Sequence, residues 1–413
     1  MPDDINNRIT VLQNIAFLFL VLLILSLPSQ ETPKLLFWGS FVATSLISLV
    51  LNSRVLKKEW DAFDSLIIFW MFSGFVVAFF AGIEHKEWGG STDLVIFTSI
   101  LLILKKLKFH YKQIDILYNT ILLSCLLVSL LALWQKLILH NNESIEFHSV
   151  GHVNHTAIYL SLSLVAVIAM LFSKWATAST LRRIFLLAIY CALAITLVLT
   201  DSRAAIIAIF LFILVCTLMF RRHILLSITM LTLLVTFSAG NYLLGGGGVI
   251  NKQLDQVERG IFFEARIKIW RSAILAWKQY PAFGVGIKNY DQVTLDELLR
   301  WCAEKSDNCQ PDAYLPYAHG HSLYINTLTE RGLFGLLVVL VNIIALSYLV
   351  YQYRPGPLAG DDYKMIWLGA FGAIFINLVI GLFNTTLHHE NALLSVILIG
   401  LYLGKIDYPN ESS

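Results

Sequence analysis

The sequence predicts an all-α integral membrane protein of about 12 transmembrane helices with one long external loop, and three observations carry that prediction. Hydrophobic residues make up 57% and charged residues 14% of the 413-residue chain, at a mean hydropathy of +0.69. That balance lies outside the range of soluble globular domains. The apolar residues gather in runs, and a helix needs about 20 of them to cross hydrocarbon. Lysines and arginines alternate between successive connections, which sets an orientation.

The runs lie at about 11–29, 35–51, 63–83, 91–104, 114–139, 156–173, 183–200, 204–220, 223–243, 322–352, 364–386 and 391–404, the fourth and twelfth being short. The first is not expected to be a cleaved signal peptide, because acidic residues precede it and no small-residue cleavage pattern follows. One set of connections holds Arg54, Lys57 and Lys58, then Lys105, Lys106, Lys108 and Lys112, then Lys174, Arg182 and Arg183, then Arg221 and Arg222. The alternate short connections hold little more than Lys34, Lys86 and Arg203. The first set, and both termini with it, is therefore assigned to the cytoplasm. The chain divides into helices one to nine (1–243), an external loop (244–320), and helices ten to twelve with a short tail (321–413), forming one functional unit.

Composition excludes several function classes. The net charge of +2 comes with no basic stripe interleaved with aromatics, so nucleic acid is not an expected partner. No His or Cys spacing fits a metal site, and no cofactor is expected. Cys125, Cys191 and Cys216 lie in apolar runs and read as small core residues. Cys302 and Cys309 lie in the external loop, where an oxidising compartment permits a disulfide.

The loop opens on four glycines at 245–248 and continues in a helical pattern over 258–279, stopped by Pro281 and Gly284. Phe263, Ile267, Trp270, Ile274 and Trp277 share one stripe, with Lys268, Arg271 and Ser272 projecting away. This predicts a helix on the membrane surface or roofing the bundle. Arg266 lies roughly 60° from Phe263 and about 40° from Trp270, bordering the stripe. Its guanidinium either snorkels to phosphate headgroups or reaches beneath the helix toward a bound phosphate.

Arg203 lies in a short external turn, Leu199-Thr-Asp-Ser-Arg-Ala204. It either pairs with Asp201 or offers a planar fork to phosphate. His319-Gly-His321-Ser322 ends the loop where helix ten begins. Low dielectric and a helix N-terminus both disfavour imidazolium, which leaves His321 a neutral base. Tyr324, one turn on, either packs or orients that ring. Lys136 is a further external cation. His148, His152, His155, His388 and His389 are external histidines that also suit an interface.

His321-Ser322, nine residues, Gly332, two residues, Gly335 resembles the signature H-[N/S/Q]-x9-G-x-x-G of the bacterial O-antigen ligases. The twelve-helix layout, the loop before helix ten, the arginine after helix seven and the loop-helix arginine are similar to that family as well. The resemblance implies a GT-C-like, metal-independent, inverting glycosyltransferase of a Gram-negative inner membrane, with its site facing the periplasm. It implies O-antigen polysaccharide on undecaprenyl pyrophosphate as donor and a sugar hydroxyl of lipid A–core as acceptor. Arg203 and Arg266 would bind the diphosphate and His321 would act as base, with His319, Tyr324 and Lys136 as secondary candidates. The absence of a further domain after helix twelve argues against the related protein-glycosylating enzymes. Two alternatives remain open at this level. An O-antigen polymerase shares the reaction class, and a lipid-linked sugar transporter or flippase also accommodates twelve helices. A carrier, however, usually shows internal repeats and polar groups at mid-membrane. Here the spans are nearly free of charge and the ionisable residues gather at one face.

Overall fold

The computed structural model of the chain describes residues 2–53, 57, 59–139, 145–243, 264–305 and 309–406. Among them are fourteen α-helices, and the only β pairing is an isolated bridge between Phe147 and Gly151. In chain order the helices are α1 Pro2–Ser26, α2 Glu31–Leu51, α3 Ala62–Phe79, α4 Glu87–Leu107, α5 Tyr111–Leu133, α6 Val153–Lys174 and α7 Thr180–Val198. They continue with α8 Arg203–Met219, α9 Ile224–Asn241, then α10 Glu264–Gln279 and α11 Leu295–Glu304 in the loop. The last three are α12 Leu323–Gln352, α13 Asp361–Gly381 and α14 His389–Leu403. Every apolar run of the sequence falls on a helix. Nine are long and apolar enough to cross a membrane. Of the others, α8 and α14 are apolar but shorter, and α4 carries Glu87, Asp93, Lys105 and Lys106 toward its ends.

Helix α6 is the axis of the bundle. It is apolar on all sides, which a helix tolerates only when enclosed, and residues 156–173 are buried throughout. Helices α5, α7, α8, α13 and α14 pack around it. The outer helices turn leucines outward, with Leu181 78% and Leu225 77% exposed. Such a surface is stable against lipid rather than water.

The two ends of the bundle differ in chemistry. At one end Lys105 pairs with Asp61 (2.5 Å) and Asp64 (2.8 Å), and Lys106 also reaches Asp64. Lys174 bridges Asp115 (2.5 Å) and Asp362 (2.7 Å). Buried charge is tolerated when paired in this way. These lysines belong to the basic set of connections. The opposite end gathers histidines.

The loop packs differently from its sequence pattern. The glycine run at 245–248 and residues 258–263 lie outside the described residues. Within α10 the buried residues include Ile269, Ala273 and Ala276, while Ile267 and Ile274 of the expected apolar stripe are 41% and 37% exposed. Ser272, expected to point away, is buried and accepts a hydrogen bond from the Leu315 N–H (2.9 Å). The reason is steric: small residues let α10 approach α12 closely, and Thr329 of α12 donates to the Ala273 carbonyl (3.1 Å). Ile267 and Ile274 are left facing outward, with Trp270 and Trp277 half-buried. Arg266 precedes Ile269, Ala273 and Ala276 by steps of three, four and three, so it continues the inward face. A disulfide joins Cys302 to Cys309 with the Cα atoms 5.9 Å apart.

Gly332 interrupts α12 with φ 62° and ψ −165°, a region open essentially to glycine alone. The break frees backbone groups that residues 281–286 then occupy. Leu333 and Phe334 donate to the Pro281 and Ala282 carbonyls (2.9 and 3.0 Å), and Val285 and Gly286 donate to the Thr329 and Glu330 carbonyls (2.9 and 3.0 Å). On the other side, Gly82 and Ile83 donate to the Gly284 and Val285 carbonyls (3.0 and 3.1 Å). The loop is thus laced between the α3–α4 turn and α12. Gly335 serves a second purpose, since a methyl group there would lie 2.1 Å from Arg331 Cβ.

Candidate active site

His321 precedes α12 in a left-handed conformation, φ 46°. Two contacts hold it there. The His321 N–H donates to His319 Nδ1 (3.3 Å), and the Gly320 N–H donates to Asn326 Oδ1 (2.8 Å). Gly320 separates the two histidines because a methyl group there would stand 3.2 Å from the Asn326 backbone. Ser322 donates to the Gly381 carbonyl (3.1 Å), fixing the element to the end of α13. Tyr324 donates to the Leu378 carbonyl (3.4 Å) and so ties α12 to α13.

Arg266 reaches the same place from above. Its guanidinium lies 5.9 Å from the centre of the Phe383 ring, in the turn after α13. It is also close enough to His321 to act on its charge, as Arg203 at the start of α8 acts on that of Arg266. The fold therefore brings His321, Arg266 and Arg203 together from three separate elements. Asp201 accepts a hydrogen bond from Asn241 of α9 (3.2 Å), and Lys136, in the π turn Trp134–Ile138 after α5, lies near that carboxylate.

Behind these groups is a histidine cluster that spacing along the chain does not reveal. His155, in the first turn of the buried α6, is its hub. Its ring centre lies 6.2 Å from His152, 6.0 Å from His319, 5.8 Å from His388 and 5.6 Å from His389. His319 and His321 are 4.2 Å apart, and Tyr317 lies 4.8 Å from His321. The sequence marked these histidines as external, but only the bundle shows that three connections converge. Among the described residues no group of His, Cys, Asp or Glu is arranged as a metal site.

The electrostatics favour neutral imidazole. Burial, the neighbouring His319 and the Arg266 cation push His321 down to about 3. Burial with His152 and His389 nearby pushes His319 down to about 4. Burial and the charge of Arg203 hold Arg266 below the usual arginine range, yet an arginine stays charged near neutral pH. Asn384 sits against His321 and opposes its shift. Sequence reading passed over Asn384 and Phe383; the polar run Asn384-Thr-Thr386 closing an apolar helix was the available signal. Among the described atoms, His155 Nδ1 is buried without a hydrogen-bond partner, and His321 Nδ1 and Asn384 Oδ1 are buried with no partner beyond each other's side chain. Buried polar atoms rarely stay unpaired, so this pocket has bonding capacity for a polar guest. It offers cations for an anion beside a neutral base for a hydroxyl.

Residues 184–340 match the family model described as O-Antigen ligase. The match runs from α7 into α12 and contains Arg203, Arg266, His319, His321, Tyr324, Gly332 and Gly335. No curated protein matches the chain.

Proposed function

We propose that this chain, whose residues 184–340 match the O-antigen ligase family model, transfers O-antigen glycan from undecaprenyl pyrophosphate to a sugar hydroxyl of lipid A–core. The reaction takes place at the histidine end of the bundle, which faces the periplasm of a Gram-negative inner membrane. What supports this reading is the convergence of two arginines and a buried neutral imidazole at one end of an apolar bundle.

In the proposed mechanism Arg203 and Arg266 hold the donor diphosphate and offset the charge that grows as it departs. The acceptor oxygen attacks the anomeric carbon from the face opposite the diphosphate. Its C–O bond forms as the bond from the anomeric carbon to the phosphate oxygen breaks, which inverts the centre. The hydroxyl proton passes to His321, and undecaprenyl diphosphate leaves with the bonding electron pair. A depressed pKa makes His321 a weak base at rest. The diphosphate raises its proton affinity, because an anion beside the ring favours imidazolium. His319 holds the backbone of His321 in its left-handed turn. Tyr324 and Lys136 play supporting parts, the first by fixing α12 against α13 and the second by adding positive potential near α8.

The test is reconstituted protein supplied with undecaprenyl-diphosphate-linked glycan and lipid A–core in EDTA, parent against His321→Ala. A general base contributes about 10²–10⁴-fold, so the variant should lose at least 100-fold in glycan joined to lipid A–core while remaining folded. A fully active His321→Ala protein would overturn the role of the histidine. Lengthened donor with untouched acceptor would identify a polymerase using the same site.

A further inference from the structure

A second cavity, of about 110 Å³, opens between α2, α4, α14 and the loop at Ile287 and Lys288. Its walls include none of Arg203, Arg266, His319 or His321; His388 and His389 line it and connect it to the histidine hub. Its character is amphiphilic. Trp38, Leu94, Phe97 and Leu393 supply apolar wall, while Lys34, Lys288 and Arg331 supply three cations.

Two carboxylates, Asp93 and Glu390, line the same walls, so the cations outnumber them by one, and Glu330 and Asp93 lie near enough to Arg331 to act on its charge. Lys34 pairs with the buried Glu390, whose Oε1 also accepts from Ser149 (3.2 Å). Lys288 pairs with Asp93 (2.5 Å) near the surface, where both side chains keep about a third or more of their exposure. Arg331 Nε, His388 Nδ1 and Glu390 Oε2 are buried without a hydrogen-bond partner among the described atoms. A surplus of one cation, the open Arg331 Nε, a buried open carboxylate oxygen on Glu390 and a lipid-like wall fit a guest with phosphate, hydroxyl and acyl parts.

We propose that this cavity seats a phosphate-bearing glycolipid, its phosphate against Lys288 and Arg331, a sugar hydroxyl donating to Glu390 and an acyl chain along Trp38, Leu94 and Phe97. It thereby deepens the transferase reading and rests on it: the two lipid substrates approach the histidines from separate seats, the acceptor here and the donor at Arg203 and Arg266.

The experiment measures binding to purified full-length protein in detergent. The probes are phosphorylated lipid A, lipid A with its phosphates removed, phosphatidylglycerol and undecaprenyl diphosphate. Two variants push in opposite directions, and neither residue belongs to the transfer site. Lys288→Ala removes a phosphate cation and should weaken phosphorylated lipid A about tenfold, leaving undecaprenyl diphosphate unchanged. Asp93→Asn frees Lys288 from its pair and should tighten lipid A about threefold. Arg266→Ala should show the converse selectivity. Three results would overturn the proposal: lipid A without phosphates binding as well as with them, phosphatidylglycerol competing on equal terms, or both variants weakening binding together. Opposite shifts in the two variants, in a protein that transfers no glycan, would keep the site and sink the transferase reading alone.

Discussion

Gly332→Ala puts a methyl group 2.3 Å from the carbonyl carbon and oxygen of Ala282, so either α12 straightens or residues 281–286 lift away. The backbone at φ 62°, ψ −165° costs a non-glycine residue about 2 kcal/mol. Lifting the loop forfeits the bonds from Leu333 and Phe334 to the Pro281 and Ala282 carbonyls, each worth about 1 kcal/mol net. Together these come to about 4 kcal/mol. Unfolding entropy near 2.1 cal/mol/K per residue gives about 0.9 kcal/mol/K for this chain, so Tm should fall about 4–5 °C if it unfolds as one unit. Thermal unfolding in detergent, followed by dye labelling of the buried Cys125 and Cys216, reads this directly. Gly356→Ala, where a methyl group meets nothing within 4 Å, is the control. An unchanged Tm for Gly332→Ala beside an unchanged control would refute the docking account of the kink.

Arg266→Lys should cut glycan transfer about tenfold or more, because an ammonium lacks the planar fork; transfer equal to the parent would return Arg266 to a packing role. Because His321 and His319 are depressed from 6.5 to about 3 and about 4, folding favours their neutral forms. Their contribution is fully present above pH 6.5 and is lost as pH falls toward those lower values. Tm should therefore decline from pH 7.5 to 5.0, and less steeply in a His319→Asn/His321→Asn double variant; identical slopes would contradict this. Reducing the Cys302–Cys309 disulfide, at a sequence separation of 7, should destabilise the loop by about 2 kcal/mol on a chain-entropy basis. Limited proteolysis with and without reductant checks it, and equal cleavage rates would count against it.

The bundle was legible in the sequence because hydrocarbon imposes one simple demand, a sufficiently long apolar helix; each run became a helix, and among the described residues nine meet that demand in full. His321, Arg203 and Arg266 were legible as charged or polar groups set against apolar neighbours. The face of α10 was misread because periodicity ranks bulk, whereas close packing on α12 selects Ala273 and Ala276. The histidine hub at His155 was not legible, since it joins connections at His152, His319 and His388 that lie far apart along the chain. Gly332 was visible as half of a glycine pair, but what it accommodates, the carbonyl of Ala282, comes from a different segment.

The break at Gly332 bears on how the protein meets bilayers of unequal thickness. Before it, Thr329 and Glu330 accept from residues 285 and 286 and Thr329 donates to α10; after it, Leu333 and Phe334 donate to Pro281 and Ala282, and α12 then continues as an ordinary helix to Gln352. A thinner or thicker membrane acts on the apolar length of helices through tilt. Because residues 281–286 bond to both sides of the break, that tilt should be taken up beyond Phe334, where α12 has no further backbone bonds to the loop among the described residues. The spacing between His321, just ahead of the piece before the break, and Arg266, on α10 bonded to that piece, should then vary little with the thickness of the surrounding lipid.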